Sequence, residues 1–255
     1  MPAPTRSRAP ILCVAGLSAA GKSRFLSALV EAGIARSLAE PWTTLRPQPC
    51  LGVDRLRPLL ALERGLLRQE RRRFHRAERL AAGDTPVWLD APPIGPLTYG
   101  RALCALLGLP WRPRAWMGPS PPRRGPELLR LADLVVYLRA DALTTLRRAL
   151  DRPRSSDAGH EAQHLVVGLL EERFWLGEFH RAFPDRLVEV DGGRPLASLV
   201  RDARGWTERA AELGSFGPAE RARLAGLLSR PASLPARLLP RPGQGLKAGP
   251  GRTGR

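Results

Sequence analysis

The segment Gly16-Leu-Ser-Ala-Ala-Gly-Lys-Ser23 joins glycines, a lysine and a serine at a spacing suited to holding phosphate groups. It fits the pattern GxxxxGK(S/T), in which consecutive backbone N–H groups wrap a phosphate and the following helix adds partial positive charge. In this pattern Lys22 reaches the terminal phosphates of a nucleotide, and the Ser23 hydroxyl binds a magnesium ion. The residues predicted to contact the nucleotide are Gly16, Ser18, Ala19, Ala20, Gly21, Lys22 and Ser23.

The elements around this segment supply the context that the pattern requires. Ile11–Ala15 is a short apolar run typical of a buried parallel strand, and Ser23–Ala32 carries apolar residues at helical spacing. The phosphate-binding segment is therefore predicted to connect a strand to a helix. Further buried strands are predicted at Pro86–Asp90, Leu134–Leu138 and Leu187–Val190.

Helices are predicted between these strands. They comprise one or two amphipathic helices between Arg55 and Ala82, single helices at Pro96–Leu107, Ala142–Leu150 and Glu161–Ala182, and further helices from Pro195 to Leu228. This alternation predicts the α/β class and a three-layer α/β/α fold with a parallel sheet. We expect residues 10–229 to form this domain, after a flexible N-terminus at 1–9 and before a disordered basic tail at 230–255.

The composition is that of a globular protein with a strong positive charge. The 255 residues include 41 basic and 24 acidic ones, giving a formal net charge of +17. Two of the basic residues are lysines and the rest are arginines, which are spread along the chain with few aromatics, so we interpret most of this charge as solvated surface. Three cysteines without a CxxC pair predict neither disulfides nor zinc. No apolar run is long enough to cross a membrane, and we expect a cytoplasmic protein.

Because kinases, GTPases and motor ATPases share the phosphate-binding motif, other residues must distinguish them. AAA-type and helicase-type ATPases carry a hydrophobic strand that ends in Asp-Glu, whereas the candidate strand here ends in Asp90-Ala91. The Asn-Lys-x-Asp motif of GTPases does not occur in the sequence. Both absences favour a kinase. Asp90 is expected at the carboxyl end of a strand, where it could hold magnesium through water or act as a base.

Several further segments resemble, in shared order over residues 10–200, the thymidylate kinases and deoxynucleoside kinases among the P-loop kinases. Val87-Trp-Leu-Asp90 with Leu97-Thr-Tyr99 is similar to their strand ending in Asp-Arg-Tyr and the Leu-Ala-Tyr after it. Glu40-Pro41 resembles the Glu-Pro pair that follows the first helix. Asp133–Leu138 and Phe183–Asp191 resemble two later strands and their approaches. The resemblance implies the P-loop kinase fold with a lid segment.

The resemblance also implies a reaction and its participants. The chain would use ATP and Mg2+ to phosphorylate a small acceptor, a nucleoside or a nucleoside monophosphate. Glu40 would take the proton from the acceptor hydroxyl, with Asp90 as the alternative base. Arg152 and Arg154 would lie in the lid and neutralise charge on the transferring phosphoryl group. Neither a membrane nor a nucleic acid is an expected partner, and monomer and homodimer both stay open.

The sequence also departs from the family pattern. Ser18 and Ala19 replace an acidic residue and a glycine, and Ala39 and Ala91 replace arginines that help thymidylate kinases to hold the acceptor phosphate. These replacements leave a neutral hydroxyl compound open as the acceptor. Together with the basic tail, they motivate an alternative hypothesis, an ATP-binding sensor with a degenerate active site. A third hypothesis is a nucleic-acid-dependent ATPase.

Overall fold

The computed structural model of the chain describes residues 8–41, 56–113, 129–151 and 158–232. Within these ranges a five-stranded sheet is built of β1 (Ile11–Ala15), β2 (Arg36–Leu38), β3 (Val87–Asp90), β4 (Leu134–Arg139) and β5 (Leu187–Asp191). The strands lie in the order β2-β3-β1-β4-β5, and all neighbours run parallel. Because β1 is the central strand, the loop after it opens at the middle of the carboxyl edge, where such sheets bind ligands.

Four of these strands agree with the sequence prediction to within one residue at each end. They are apolar because both faces of a parallel sheet are covered, and every residue of β1 and β3 is buried. The sequence does not predict β2. This strand has three residues, of which Arg36 and Ser37 are exposed, so it lacks the apolar run that identifies a buried strand.

The helices of the described ranges alternate with the strands. They are α1 (Lys22–Glu31), α2 (Leu56–Leu80), α3 (Gly95–Leu106), α4 (Ala142–Leu150), α5 (Ala158–Glu172), α6 (Leu196–Leu213) and α7 (Pro218–Ser229). The stretch predicted to form one or two helices between Arg55 and Ala82 is thus the single helix α2. In the part of the chain that the structure describes, no helix is both long and apolar enough to cross a membrane.

The helices cover the sheet on both faces. Leu26 and Leu29 of α1 and Leu199 of α6 pack with one set of strand residues, including Leu12 and Val14. The opposite face packs against α2, α3, α5 and α7, which contribute the buried residues Phe74, Leu103, Val167 and Leu224. The three-layer α/β/α fold with a parallel sheet is therefore confirmed.

The long helix predicted at Glu161–Ala182 changes its winding before its end. After α5 the chain continues as a π-helix at Arg173–Phe179 and a last α-helical turn at His180–Ala182. Phe174, Trp175 and Phe179 are buried in this wider stretch, with the Trp175 and Phe179 ring centroids 5.0 Å apart. A π-helical stretch changes which residues of a helix face the core. These aromatics belong to the core.

We predict that Leu29→Ala destabilises the domain by about 2–5 kcal/mol, because the residue is fully buried between α1 and the sheet. Leu143→Ala is the matched control: the same substitution on α4, at a side chain that is 65% exposed, should change the free energy of unfolding by less than about 0.5 kcal/mol. Urea denaturation of both variants measures the difference. Equal losses would mean that α1 is not anchored through Leu29.

Candidate active site

The glycine-rich loop lies between β1 and α1, as its motif requires. Gly16 has a φ angle of 138°, and a Cβ atom at this position would collide with the backbone carbonyl of Leu138. Gly21, at the start of α1, has a φ angle of 101°, and Ala19 adopts a left-handed φ angle of 63°. The loop thus passes too close to β4 for any side chain at Gly16, and its backbone holds positive φ angles at three positions.

Lys22 and Ser23 are the first two residues of α1, and their side chains bind different partners. The Lys22 ammonium donates hydrogen bonds to the backbone carbonyls of Gly16 and Leu17, each at 2.9 Å, so it lies over the loop. The Ser23 hydroxyl donates to an oxygen of the Asp90 carboxylate at 2.7 Å. Asp90 ends β3 beside Val14 of β1. The structure therefore brings together the predicted residues Lys22, Ser23 and Asp90.

Glu40 reaches the same edge from a strand that the sequence does not reveal. It follows β2 by two residues and is half-buried. Its charge contributes to raising the pKa values of two other carboxyl groups, those of Glu70 and Glu171. The pKa of Glu171 also responds to the charge of Lys22. The predicted base therefore lies among other carboxylates, close to the glycine-rich loop.

Two residues of α2, Glu70 and Arg73, belong to this site although sequence reasoning did not single them out. Both side chains are buried, and the Arg73 guanidinium lies 2.7 Å from the Glu70 carboxylate. Arg73 also donates to the carbonyl of Ala91 at 2.7 Å, just beyond β3. Burial raises the pKa of Glu70 to about 7, which Arg73 opposes and the nearby carboxylates reinforce. In a helix so rich in arginine, no sequence signal distinguishes this one.

Glu171 is a further carboxylate that the sequence analysis missed. It lies near the end of α5 and accepts a hydrogen bond of 2.6 Å from the Thr98 hydroxyl of α3. Burial raises the pKa of Glu171 to about 7; the bond from Thr98 opposes this rise, Glu40 adds to it, and Lys22 opposes it. Glu171 is thus partly protonated at neutral pH. Glu171 interacts with Thr98 and with the charge of Lys22 only through the tertiary fold, so it leaves no local pattern in the sequence.

Other predicted residues lie elsewhere or outside the described ranges. Arg152 and Arg154, assigned to the lid, fall in the gap between 151 and 158, so the lid stays a prediction. The same holds for most of the basic tail, since the description ends at residue 232. Trp88 of β3 is fully buried, and its ring centroid lies 5.5 Å from that of Phe25, so this side chain belongs to the core.

Comparison with known proteins assigns the fold. No protein-family model matches the sequence, and no curated protein matches it either. Among solved structures, a deoxyadenosine kinase from M. mycoides with bound dATP aligns with a TM-score of 0.59 at 13% identity, over 78% of this chain and 99% of that one. The same kinase with dCMP and dCDP bound gives a TM-score of 0.57 at 14% identity, over 78% and 98%. The chain therefore has a P-loop nucleotide kinase-like fold.

We predict that the stability of the domain falls as the pH rises from about 4.5 to 7, in part through Glu171. Since its pKa is raised on folding, the folded state binds more protons than the unfolded state in this range, and deprotonation favours unfolding. Glu171→Gln cannot titrate but keeps an acceptor for Thr98. The free energy of unfolding of the variant minus that of the wild type should therefore be roughly 1–3 kcal/mol larger at pH 8 than at pH 5.

Urea denaturation at the two pH values measures this difference. Glu31→Gln, the same substitution at an exposed position on α1, is the control and should show no such pH dependence. An advantage of Glu171→Gln that is the same at pH 5 and pH 8 would contradict the raised pKa.

Proposed function

We propose that the protein is an ATP- and magnesium-dependent phosphotransferase that moves the γ-phosphoryl group of ATP to a hydroxyl of a nucleoside or a nucleoside monophosphate. The observation that carries this proposal is the 2.7 Å hydrogen bond between Ser23 and Asp90. It joins the last residue of a phosphate-binding loop to a carboxylate at the end of the neighbouring strand. A P-loop nucleotide kinase-like fold supports the same function.

The residues present fit a magnesium ion. The Ser23 hydroxyl and the Asp90 carboxylate are oxygen donors, which Mg2+ prefers, and they already lie within hydrogen-bond distance of each other. These two residues would hold the ion, which would neutralise charge on the β- and γ-phosphates. The loop N–H groups and Lys22 bind and orient the phosphates. In this arrangement Asp90 would serve as a metal ligand and not as the base.

Glu40 is then the residue that we propose as the general base. It follows the edge strand β2, remains half-buried, and lies close enough to Glu171 and Glu70 to affect their protonation. A positioned carboxylate can accept the proton of an alcohol as a general base. Glu40 would orient the acceptor hydroxyl and take its proton as the bond to phosphorus forms.

The acceptor is better matched by a nucleoside than by its monophosphate. Ala39 and Ala91 stand where thymidylate kinases carry arginines, and the nearby Arg73 is fully engaged with backbone carbonyls and Glu70. The deoxyadenosine kinase likeness agrees with this choice. One observation favours the monophosphate: a small pocket beside Glu70 is also lined by Arg71 and Arg130, which could pair with a phosphate.

The second candidate function is an ATP-binding sensor, favoured by the same replacements at Ala39 and Ala91. Such a protein would bind ATP at the loop and use it to change its interaction with a partner. It would show no ATP turnover that depends on an acceptor. Proteins of both kinds would bind nucleotide through Lys22, so turnover and not binding distinguishes them.

We predict that ADP release from Mg-ATP is stimulated by at least one member of a panel of nucleosides, nucleoside monophosphates and small alcohols. Lys22→Ala should abolish this stimulation, because the variant loses the charge at the terminal phosphates. Glu40→Gln should lower kcat by about 10²–10⁴-fold while ATP binding is retained. The exposed control Glu31→Gln should leave both unchanged.

A coupled-enzyme assay of ADP release and a calorimetric measurement of ATP binding together distinguish the kinase from the ATP-binding sensor. If ATP binds with Lys22 dependence but no acceptor raises turnover, the kinase proposal fails and the sensor is supported. If Glu40→Gln retains full acceptor-dependent kcat, Glu40 is not the base.

A further inference from the structure

Arg73 joins the ends of two strands through one buried guanidinium. It lies in the middle of α2 and donates to the carbonyls of Leu38 at 3.3 Å and Ala39 at 3.4 Å, at the end of β2. The same group donates to the carbonyls of Asp90 and Ala91, at the end of β3, the latter at 2.7 Å. All of these acceptors belong to the backbone beside the candidate active site.

The position of these bonds matters because the β2–β3 pairing stops just before them. The last paired residues are Leu38 and Leu89. Beyond this pair, the segment after β2 carries Glu40, the proposed base, and the end of β3 carries Asp90, the proposed metal ligand. The guanidinium acts as an additional cross-link between the strands, so it sets the separation of the backbone segments that carry these two carboxylates.

The backbone beyond β3 provides an independent observation. Ala91 has a φ angle of 69°, in the left-handed region that costs a residue with a Cβ atom about 1 kcal/mol or more. Its carbonyl is one of those that Arg73 holds. Such a conformation persists when surrounding contacts fix it. Arg73 is one contact that does so, directly after the Asp90 carboxylate.

Glu70 completes the arrangement by orienting the guanidinium. It accepts from Nε of Arg73 at 2.9 Å and lies 2.7 Å from the terminal nitrogen that binds Ala91. Both side chains are almost fully buried, so neither turns freely to another partner. Only a planar group with donors on several edges can serve the two strands and Glu70 together, and a lysine ammonium has three donors and no such plane.

We propose that Arg73 is a positioning residue for phosphoryl transfer: it holds the ends of β2 and β3 at the separation that lets Glu40 and Asp90 act on one acceptor and one nucleotide. This inference rests on the proposed function. It adds a role for a residue whose hydrogen bonds go to Glu70 and to the backbone at two strand ends. Residue 91 is an alanine in this chain, and the guanidinium that reaches its carbonyl comes from Arg73 of α2.

Arg73→Lys tests this role, because it keeps the charge and removes the planar fork. We expect kcat with the acceptor from the panel to fall about 10–100-fold per folded molecule. The Kd for ATP should change less than twofold, since the hydrogen bonds of Arg73 go to Glu70 and to the ends of β2 and β3. The adjacent, exposed Arg72→Lys is the matched control and should leave both quantities unchanged. A purely structural role would instead lower the melting temperature and leave kcat per folded molecule unchanged.

Hydrogen exchange provides a readout that does not need an acceptor. In Arg73→Lys, amide exchange in peptides covering 36–40 and 87–91 should rise at least tenfold, while peptides from β4 and β5 keep their protection. Unchanged exchange at the ends of β2 and β3 overturns the proposal whether or not the protein is a kinase. Faster exchange with unchanged kcat also overturns it. Faster exchange with no acceptor-dependent turnover in the wild type marks failure of the proposed function alone.

Glu70→Gln serves if Arg73→Lys does not fold. It keeps a hydrogen-bond acceptor for Arg73 but removes the charge that orients the guanidinium, so we expect the same pattern with about 3–10-fold effects on exchange and kcat. Circular dichroism and thermal unfolding establish that each variant is folded before exchange and kcat are compared. A folded Glu70→Gln with wild-type exchange and wild-type kcat contradicts the positioning role.

Discussion

The structure depends on the burial of a parallel sheet on both faces. Amphipathic helices cover the two faces with their apolar sides, so backbone polar groups can meet a ligand only at an edge of the sheet. At the carboxyl edge, the chain after β1 turns into the glycine-rich loop, while the carbonyls beyond β2 and β3 are bound by Arg73. Buried carbonyls need hydrogen-bond donors, and this requirement explains why the charged side chain of Arg73 lies beside the candidate site.

Arginine therefore has two uses in this chain. The composition suggests a solvated positive surface, but several guanidiniums are buried and bind backbone carbonyls. Arg101 pairs with Glu178 at 2.8 Å and also donates to the carbonyl of Arg230, and Arg186 pairs with Glu220 while donating to the carbonyl of Asp133. A guanidinium can satisfy a carboxylate and several carbonyls at once, so it ties helices to strand ends.

The electrostatics of the site combine one lysine with several carboxylates. Glu70 and Glu171 have pKa values of about 7, because burial favours their neutral forms. Their partial protonation reduces the negative charge in the group of carboxylates around Glu40. Glu40 and Asp90 then carry the chemical roles in our proposal.

The sequence by itself determined the glycine-rich loop, four of the strands and the three-layer fold, because motif spacing and apolar runs are local properties. It also singled out Glu40 and Asp90 as carboxylates beside that loop. Only the tertiary structure decided that β2 forms an edge strand, that Arg73 links it to β3, and that Glu171 of α5 approaches Lys22. These relations join residues far apart in the chain, and burial selects one arginine among many that look alike in the sequence.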